Sequence, residues 1–173
     1  MDIRAVQKPL KDRYRADPES SKLTLVAKGV QAGTPIACSV DLGRTSYEAQ
    51  AHPGVGGAGT AACSGDLLLG ALAACAQLTC QMVAAAMELP VDDVRVTVEG
   101  DLDLAGTLGT SRDASVGFDA IRLDIEIDAP ELSAEQLESL REKTERYCVV
   151  LQTLTSPPHI ASRFTLAARA DGS

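Results

Sequence analysis

The stretch Ser64–Leu89, SGDLLLGALAACAQLTCQMVAAAMEL, limits the possible folds more than any other part of the chain. It consists almost entirely of Ala, Leu, Met and Cys, and no charged residue lies between Asp66 and Glu88. We predict one long helix here, with Ser64 as its N-cap, Asp66 in its first turn and Leu89-Pro90 at its end. A helix that is apolar on nearly every side must be buried on nearly every side, within a core or across a subunit interface.

Length and charge narrow the class of protein. The 173 residues fit a single domain, 1–173, in which residues 1–20 form an N-terminal extension with a possible short helix whose first turn holds Pro9. The net charge of −8 makes nucleic acid and anionic membrane surfaces poor partners. The N-terminal segment is charged and has no apolar core of a signal peptide, so a cytoplasmic protein is expected. The polar residues Gln77, Thr79 and Gln81 favour a buried helix over a membrane span.

The five cysteines are expected to be reduced, because structural disulfides are rare in the cytosol. No metal site and no cofactor are predicted, since the chain has no CxxC motif and neither His52 nor His159 is spaced with cysteines as a ligand. The glycine-rich loop 52–60 matches neither a phosphate-binding nor a dinucleotide-binding pattern. Cysteine chemistry is therefore the most promising source of function.

Alternating and helical patterns predict an α+β fold with an antiparallel or mixed sheet packed on helices. A capping box of Ser133 and Gln136 opens a second helix, Ala134–Leu154, whose apolar stripe contains Cys148. The remaining predicted elements are a hairpin of strands 23–27 and 36–42, a possible strand 44–50, strands 94–104 and 121–127, and a last strand at 164–168.

Helical phase separates the two cysteines of the long helix. Cys75 shares a face with Leu72 and Thr79, whereas Cys80 lies five residues on, roughly 140° around the axis. Two thiols so placed cannot form a disulfide without local unwinding. If Cys75 has a redox partner it lies on another element, and Cys148 is the best available, although participation of Cys63 or Cys80 stays open.

The segment Asp66–Cys75, followed by Gln77-Leu78-Thr79 and Met82, resembles the signature helix of the OsmC/Ohr family of osmotically induced and organic-hydroperoxide-resistance proteins. The segment Tyr147–Leu154 corresponds to the second cysteine-bearing helix of that family, although the family's usual proline after the cysteine is missing. Element order agrees as well, and the resemblance covers roughly residues 20–170.

The resemblance implies an OsmC-like fold, in which a curved antiparallel sheet and two long central helices form an intertwined homodimer. It also implies a thiol peroxidase that reduces organic hydroperoxides to alcohols. The Cys75 thiolate would attack the peroxide, its sulfenic acid would condense with Cys148, and a dithiol would reduce the resulting disulfide. The family supplies a glutamate at the start of the first helix and an arginine near the thiolate. Here Asp66, which is one methylene shorter, would replace the glutamate, and Arg44 is the candidate arginine.

Two other interpretations remain. The chain could be an OsmC-fold small-molecule-binding or redox-sensing protein with little peroxidase activity. It could also be an unrelated α+β domain in which the cysteines serve only as small packing residues. Peroxide consumption by the reduced protein distinguishes a thiol peroxidase from both of these interpretations.

Overall fold

The computed structural model describes residues 2–166 of the chain. The helices are α1 (Ile3–Ala16), α2 (Ser64–Ala86), α3 (Leu104–Thr107), α4 (Ala134–Tyr147) and α5 (Val149–Thr155). The strands are β1 (Lys28–Gln31), β2 (Ala37–Asp41), β3 (Ser46–Gln50), β4 (Asp93–Leu102) and β5 (Phe118–Asp128).

The strands form two antiparallel sheets, β1-β2-β3 and β4-β5. The predicted hairpin and the possible third strand are confirmed, but the first strand is Lys28–Gln31 rather than 23–27. The reason is the register, which pairs Lys28 with Asp41 at the end of β2. Residues that precede Lys28 run past the end of their partner strand, and their alternating apolar side chains stay exposed.

The β4–β5 hairpin confirms the cleanest strand pattern in the sequence, and its register pairs Val96 with Ile125. The strand prediction was wrong at its end, because β4 stops at Leu102 and Leu104 begins the short helix α3. Asp103 turns the chain there, since its carboxylate accepts a hydrogen bond from the backbone N–H of Ala105 at 2.8 Å.

Helix α2 is the centre of the fold and packs against β4, α4, α5 and α1. Its N-cap is Cys63 rather than Ser64, because the carboxylate of Asp66 accepts the Cys63 backbone N–H at 2.8 Å and fixes that residue as the boundary. The helix ends at Ala86, before the predicted Leu89, where the chain turns through Glu88 at a φ of 55°.

The predicted second helix is two helices, α4 and α5, separated at Cys148. The φ and ψ of Cys148 are −72° and 103°, an extended conformation that no helix interior adopts. The prediction of one helix was wrong because the apolar stripe continues in phase across the break, from Leu140 to Leu151. At this break the Cys148 side chain is buried against Leu72 and Ala76 of α2.

The two ends of the chain differ from the predictions. Helix α1 is present, but Pro9 lies in its middle rather than its first turn, because Asp2 caps the helix well before the proline. The predicted last strand is absent at Phe164 and Leu166, which are almost fully exposed and have no strand partner among residues 2–166. Ala168, the end of that prediction, lies outside the described residues.

Candidate active site

Cys75 and Cys148 lie in one apolar cluster, although they are far apart in the sequence. The buried members of the cluster are Leu72, Ala76 and Cys148, and Cys75 packs against them from the fourth turn of α2. Helix α2 brings Cys75 to this point, and the break between α4 and α5 brings Cys148 to it. The two thiols are close enough to hydrogen-bond each other.

The pKa of the Cys75 thiol is lowered. Burial alone would raise the pKa of Cys75, but hydrogen bonds from the Val150 backbone N–H, the Cys148 thiol, the Thr79 hydroxyl and the Val149 backbone N–H outweigh it. The two backbone donors are free because they open α5, where the first N–H groups have no partner within the helix. Helix α5 therefore stabilises a thiolate at Cys75.

The pKa of Cys148 is shifted in the opposite direction. Burial is the main cause of the raised pKa. The backbone N–H of Leu151 opposes it, the neighbouring Cys75 thiol adds to the rise, and the backbone N–H of Val150 opposes the rise more weakly. The side chain of Cys148 is fully buried, whereas Cys75 is half-buried. The two thiols of the pair thus differ, since Cys75 ionises more readily than an ordinary thiol and Cys148 less readily.

The other cysteines lie in different surroundings. Cys80 is buried on another flank of α2, as the helical phase predicts, and burial raises its pKa against a hydrogen bond from Thr144. Cys63 caps α2 and Cys38 lies on β2, both half-buried. Whether Cys63 or Cys80 takes part in the chemistry stays a question for experiment.

Neither Asp66 nor Arg44 is among the main groups that shift the pKa values of the thiol pair. Asp66 is nine residues before Cys75 on α2, about 13 Å along the helix axis, and its carboxylate accepts the Cys63 backbone N–H. Its pKa is lowered by the backbone and side chain of Cys63, and more weakly by His52. Arg44 lies exposed in the turn between β2 and β3 and forms no ion pair with any residue that the structure describes. The roles of both residues in catalysis stay predictions.

Sequence reasoning assigned no role to three contributors to the site. Helical spacing placed Thr79 on the face of Cys75, one turn after it, but did not predict that its hydroxyl would lower the pKa of the thiol. The donors of Val149 and Val150 left no such signal, because a backbone N–H is available only where the helix is interrupted. Within residues 2–166, no cluster of three or more His, Cys, Asp or Glu residues is arranged to hold a metal ion.

A comparison with protein families matches residues 57–163, more than half of the chain, to the family described as OsmC-like protein. The chain belongs to the OsmC-like family. The matched segment contains both cysteines of the pair, whereas α1 and the β1-β2-β3 sheet precede it. A search of curated protein sequences finds no match.

Solved structures share the fold of this OsmC-like protein at low sequence identity. An OsmC-like protein from Mycoplasma pneumoniae is 18% identical with a TM-score of 0.66, and the alignment covers 79% of this chain and 90% of that one. A Legionella pneumophila organic hydroperoxide resistance protein is 21% identical with a TM-score of 0.59, covering 79% and 92%. One from Elizabethkingia anophelis is 18% identical with a TM-score of 0.57, covering 79% and 91%. The predicted OsmC-like α+β fold is confirmed.

Proposed function

We propose that this protein is a thiol peroxidase that reduces organic hydroperoxides to alcohols. The observation that carries the proposal is the thiol pair, in which Cys75 has a lowered pKa and the adjacent Cys148 has a raised one. Membership of the OsmC-like family supports it, since two of the similar structures are named organic hydroperoxide resistance proteins.

The proposed reaction proceeds in balanced steps. The Cys75 thiolate attacks the terminal oxygen of the hydroperoxide, the O–O bond breaks, and the released alkoxide takes up a proton to become the alcohol. Cys75 is then a sulfenic acid, two electrons more oxidised than before. The Cys148 thiol condenses with it, forming the disulfide and releasing water, and an external dithiol restores both thiols by two exchange steps.

A homodimer and a reducing compartment are parts of the same proposal. Only 28% of the most apolar part of α2 is buried within one chain, and Leu68, Leu78 and Met82 on that helix remain partly exposed. By length and composition α2 would also pass as a membrane span, but its contacts with β4, α4 and α5 are those of a core helix. A second copy of the chain is the proposed cover for its exposed apolar side, and the cytosol is the proposed source of the dithiol.

The decisive experiment follows the loss of cumene hydroperoxide when reduced protein is incubated with dithiothreitol. Wild type is expected to consume peroxide catalytically, Cys75→Ser to show only the background rate, and the matched variant Cys80→Ser to retain activity. A wild-type rate equal to that of Cys75→Ser would overturn the enzyme assignment and favour a binding or sensing role.

The intact mass after one equivalent of peroxide, with no reductant present, tests the second cysteine. We expect wild type to lose two hydrogens and Cys148→Ser to gain one oxygen instead, because the sulfenic acid has no partner thiol. Loss of two hydrogens in Cys148→Ser would remove Cys148 from the mechanism and direct attention to Cys63 or Cys80.

A further inference from the structure

A groove of about 510 Å³ lies between α1, α2 and α4, next to the thiol pair. Of the α2 residues that line it, Thr79 is nearest in sequence to Cys75, and its hydroxyl hydrogen-bonds the Cys75 thiol. Tyr147, which directly precedes Cys148 in the chain, lines the groove as well. The groove is therefore in a position to hold the part of a substrate that extends away from the reacting peroxide.

The floor of the groove is apolar. Beyond Thr79, four residues of α2 line it, namely Met82, Val83, Ala86 and Met87. From Thr79 to Met87 the helix rises by about 12 Å. An apolar surface of this length favours the hydrocarbon part of a small molecule, because contact with it removes apolar area from water.

Helix α1 lines one side of the groove with Gln7 and Lys11. Arg4 fixes this helix to the end of α2, since its guanidinium donates to the Ala86 carbonyl at 2.6 Å and pairs with Glu88 at 2.5 Å. A cation is favourable there, because the last carbonyl groups of α2 lack partners within the helix. Helix α1 precedes the segment that matches the family, so Lys11 belongs to this chain rather than to the matched domain.

The charge of the groove is opposite to that of the whole chain. The net charge of the chain is −8, yet Lys11 and Lys143 line the groove and no acidic residue does. Neither lysine forms an ion pair with any residue from 2 to 166, and the half-buried Lys143 donates to the neutral hydroxyl of Ser139. No residue three or four positions from either lysine is acidic, so no helical neighbour supplies a counter-charge. Both ammonium groups are therefore available to an anion.

We propose that this groove selects hydroperoxides that carry an anionic group, which Lys11 and Lys143 bind while the hydrocarbon part lies along α2. This inference rests on the proposed function and deepens it, because it names a substrate class. Lys143 lies four residues before Tyr147, about 6 Å along α4. The anionic group is thus held away from the Cys75 thiolate, which it would otherwise repel.

Two hydroperoxides that differ by one charge test the proposal. They are cumene hydroperoxide and 4-(2-hydroperoxypropan-2-yl)benzoate, whose carboxylate lies across the ring from the peroxide. With full-length protein and dithiothreitol at low ionic strength, we expect kcat/KM to favour the benzoate by about tenfold, the effect of a hydrogen bond to a charged group. The preference should decrease in about 0.5 M NaCl, because salt screens exposed charges.

Variants of the lysines assign this preference to the groove. The double variant Lys11→Gln/Lys143→Gln should lose the preference for the benzoate. The matched variant Lys8→Gln should keep it, since Lys8 lies on α1 outside the groove and pairs with Asp12. Because the ratio of two substrates is compared within each protein, a general change in Cys75 reactivity cancels. No preference in wild type, or the same preference in wild type and the double variant, would overturn the proposal.

A binding measurement separates this inference from the proposed function. Reduced full-length protein is titrated with 4-isopropylbenzoate, which has no peroxide, and binding is followed by ligand-observed NMR. We expect the affinity to be about tenfold lower in Lys11→Gln/Lys143→Gln than in wild type or Lys8→Gln. Charge-dependent binding without peroxide consumption would overturn the enzyme assignment alone. Equal binding by all three proteins, with peroxide consumption intact, would overturn the role of the groove alone.

Discussion

The backbone N–H of Val150 hydrogen-bonds the Cys75 thiol across the gap between α5 and α2. Among the groups that lower the pKa of Cys75, this donor has the largest effect, and none of the main contributors is a lysine or an arginine. The thiolate is thus stabilised by peptide groups that the interruption at Cys148 sets free.

Alkylation by iodoacetamide should distinguish the two thiols of the pair. Since only the thiolate reacts, the pH midpoint for Cys75 should lie below the ordinary thiol value of 9.0, because its hydrogen bonds outweigh burial. Cys148 should stay unmodified in the folded protein at pH values where Cys75 reacts, because its side chain is fully buried and burial raises its pKa. Short alkylation pulses at a series of pH values, with peptide mass spectrometry, follow both thiols, and a Cys75 midpoint at or above 9.0 would contradict the proposed thiolate.

Thr79→Val should slow the reaction of Cys75 without changing the fold. Thr79 is 6% exposed, and valine matches its shape while removing the hydroxyl that stabilises the thiolate. We expect the second-order rate with cumene hydroperoxide at pH 7 to fall by about tenfold, corresponding to about 1.4 kcal/mol. The difference should shrink at alkaline pH, where either protein is ionised. A constant ratio of the two rates at every pH would show that Thr79 acts in some other way.

Val149→Pro should raise the pKa of Cys75 while leaving α5 in place. Cys148 already has the extended conformation that precedes proline, and Val149 is the first residue of α5, where a helix tolerates proline. Proline has no backbone N–H, so the variant loses one of the two peptide donors that lower the pKa of Cys75. Alkylation of Cys75 by iodoacetamide should therefore reach its midpoint at a higher pH than in wild type, whereas the matched variant Val149→Ala, which keeps the N–H, should match wild type. An unchanged midpoint in a folded Val149→Pro protein would show that the Val149 N–H does not stabilise the thiolate.

Asp66→Asn should destabilise the start of α2 and change how the free energy of unfolding depends on pH. The backbone and side chain of Cys63 lower the pKa of Asp66 below 3.8, so the folded state favours the carboxylate. The stabilisation is present above the unfolded pKa and is lost as pH falls through the lowered folded value. At pH 7 we expect the free energy of unfolding to decrease by about 0.5–1 kcal/mol, and the difference between the proteins should narrow below pH 3.8.

Peroxidase assays on Asp66→Asn separate capping from catalysis. If Asp66 serves only the helix terminus, the variant reduces peroxide at the wild-type rate as long as it is folded. A rate loss with an altered pH profile of Cys75 alkylation would instead support the catalytic role that the family resemblance predicts for this residue.

Much of the fold was predictable because its patterns are local. The Ser133–Gln136 capping box, the alternation in β4 and β5, and the phase of Cys75 against Cys80 all describe short stretches of chain, and each matches the structure. The strand predicted at 23–27 failed because alternation identifies a possible strand but not the presence of a partner. The last strand, predicted at 164–168, was wrong at Phe164 and Leu166 for the same reason, since the described chain gives these residues no strand to pair with.

The candidate site was only partly predictable, and the missing part is the helix break. Neither glycine nor proline stands near Cys148, and the apolar stripe continues from Leu140 to Leu151 as in an uninterrupted helix. The thiol pair could be inferred from spacing and resemblance, because it consists of side chains. The donors at Val149 and Val150 could not, since the availability of a peptide N–H depends on tertiary structure that periodicity does not encode.

The break at Cys148 also affects how this protein can diverge. Every residue except proline carries a backbone N–H, so positions 149 and 150 can exchange one side chain for another while the donors to Cys75 persist. Selection on the identity of residues 149 and 150 therefore has little effect on the backbone N–H donors that favour the thiolate. Relatives with any residue except the family's usual proline at position 149 present both donors to sulfur, whereas a proline there leaves only the donor at position 150.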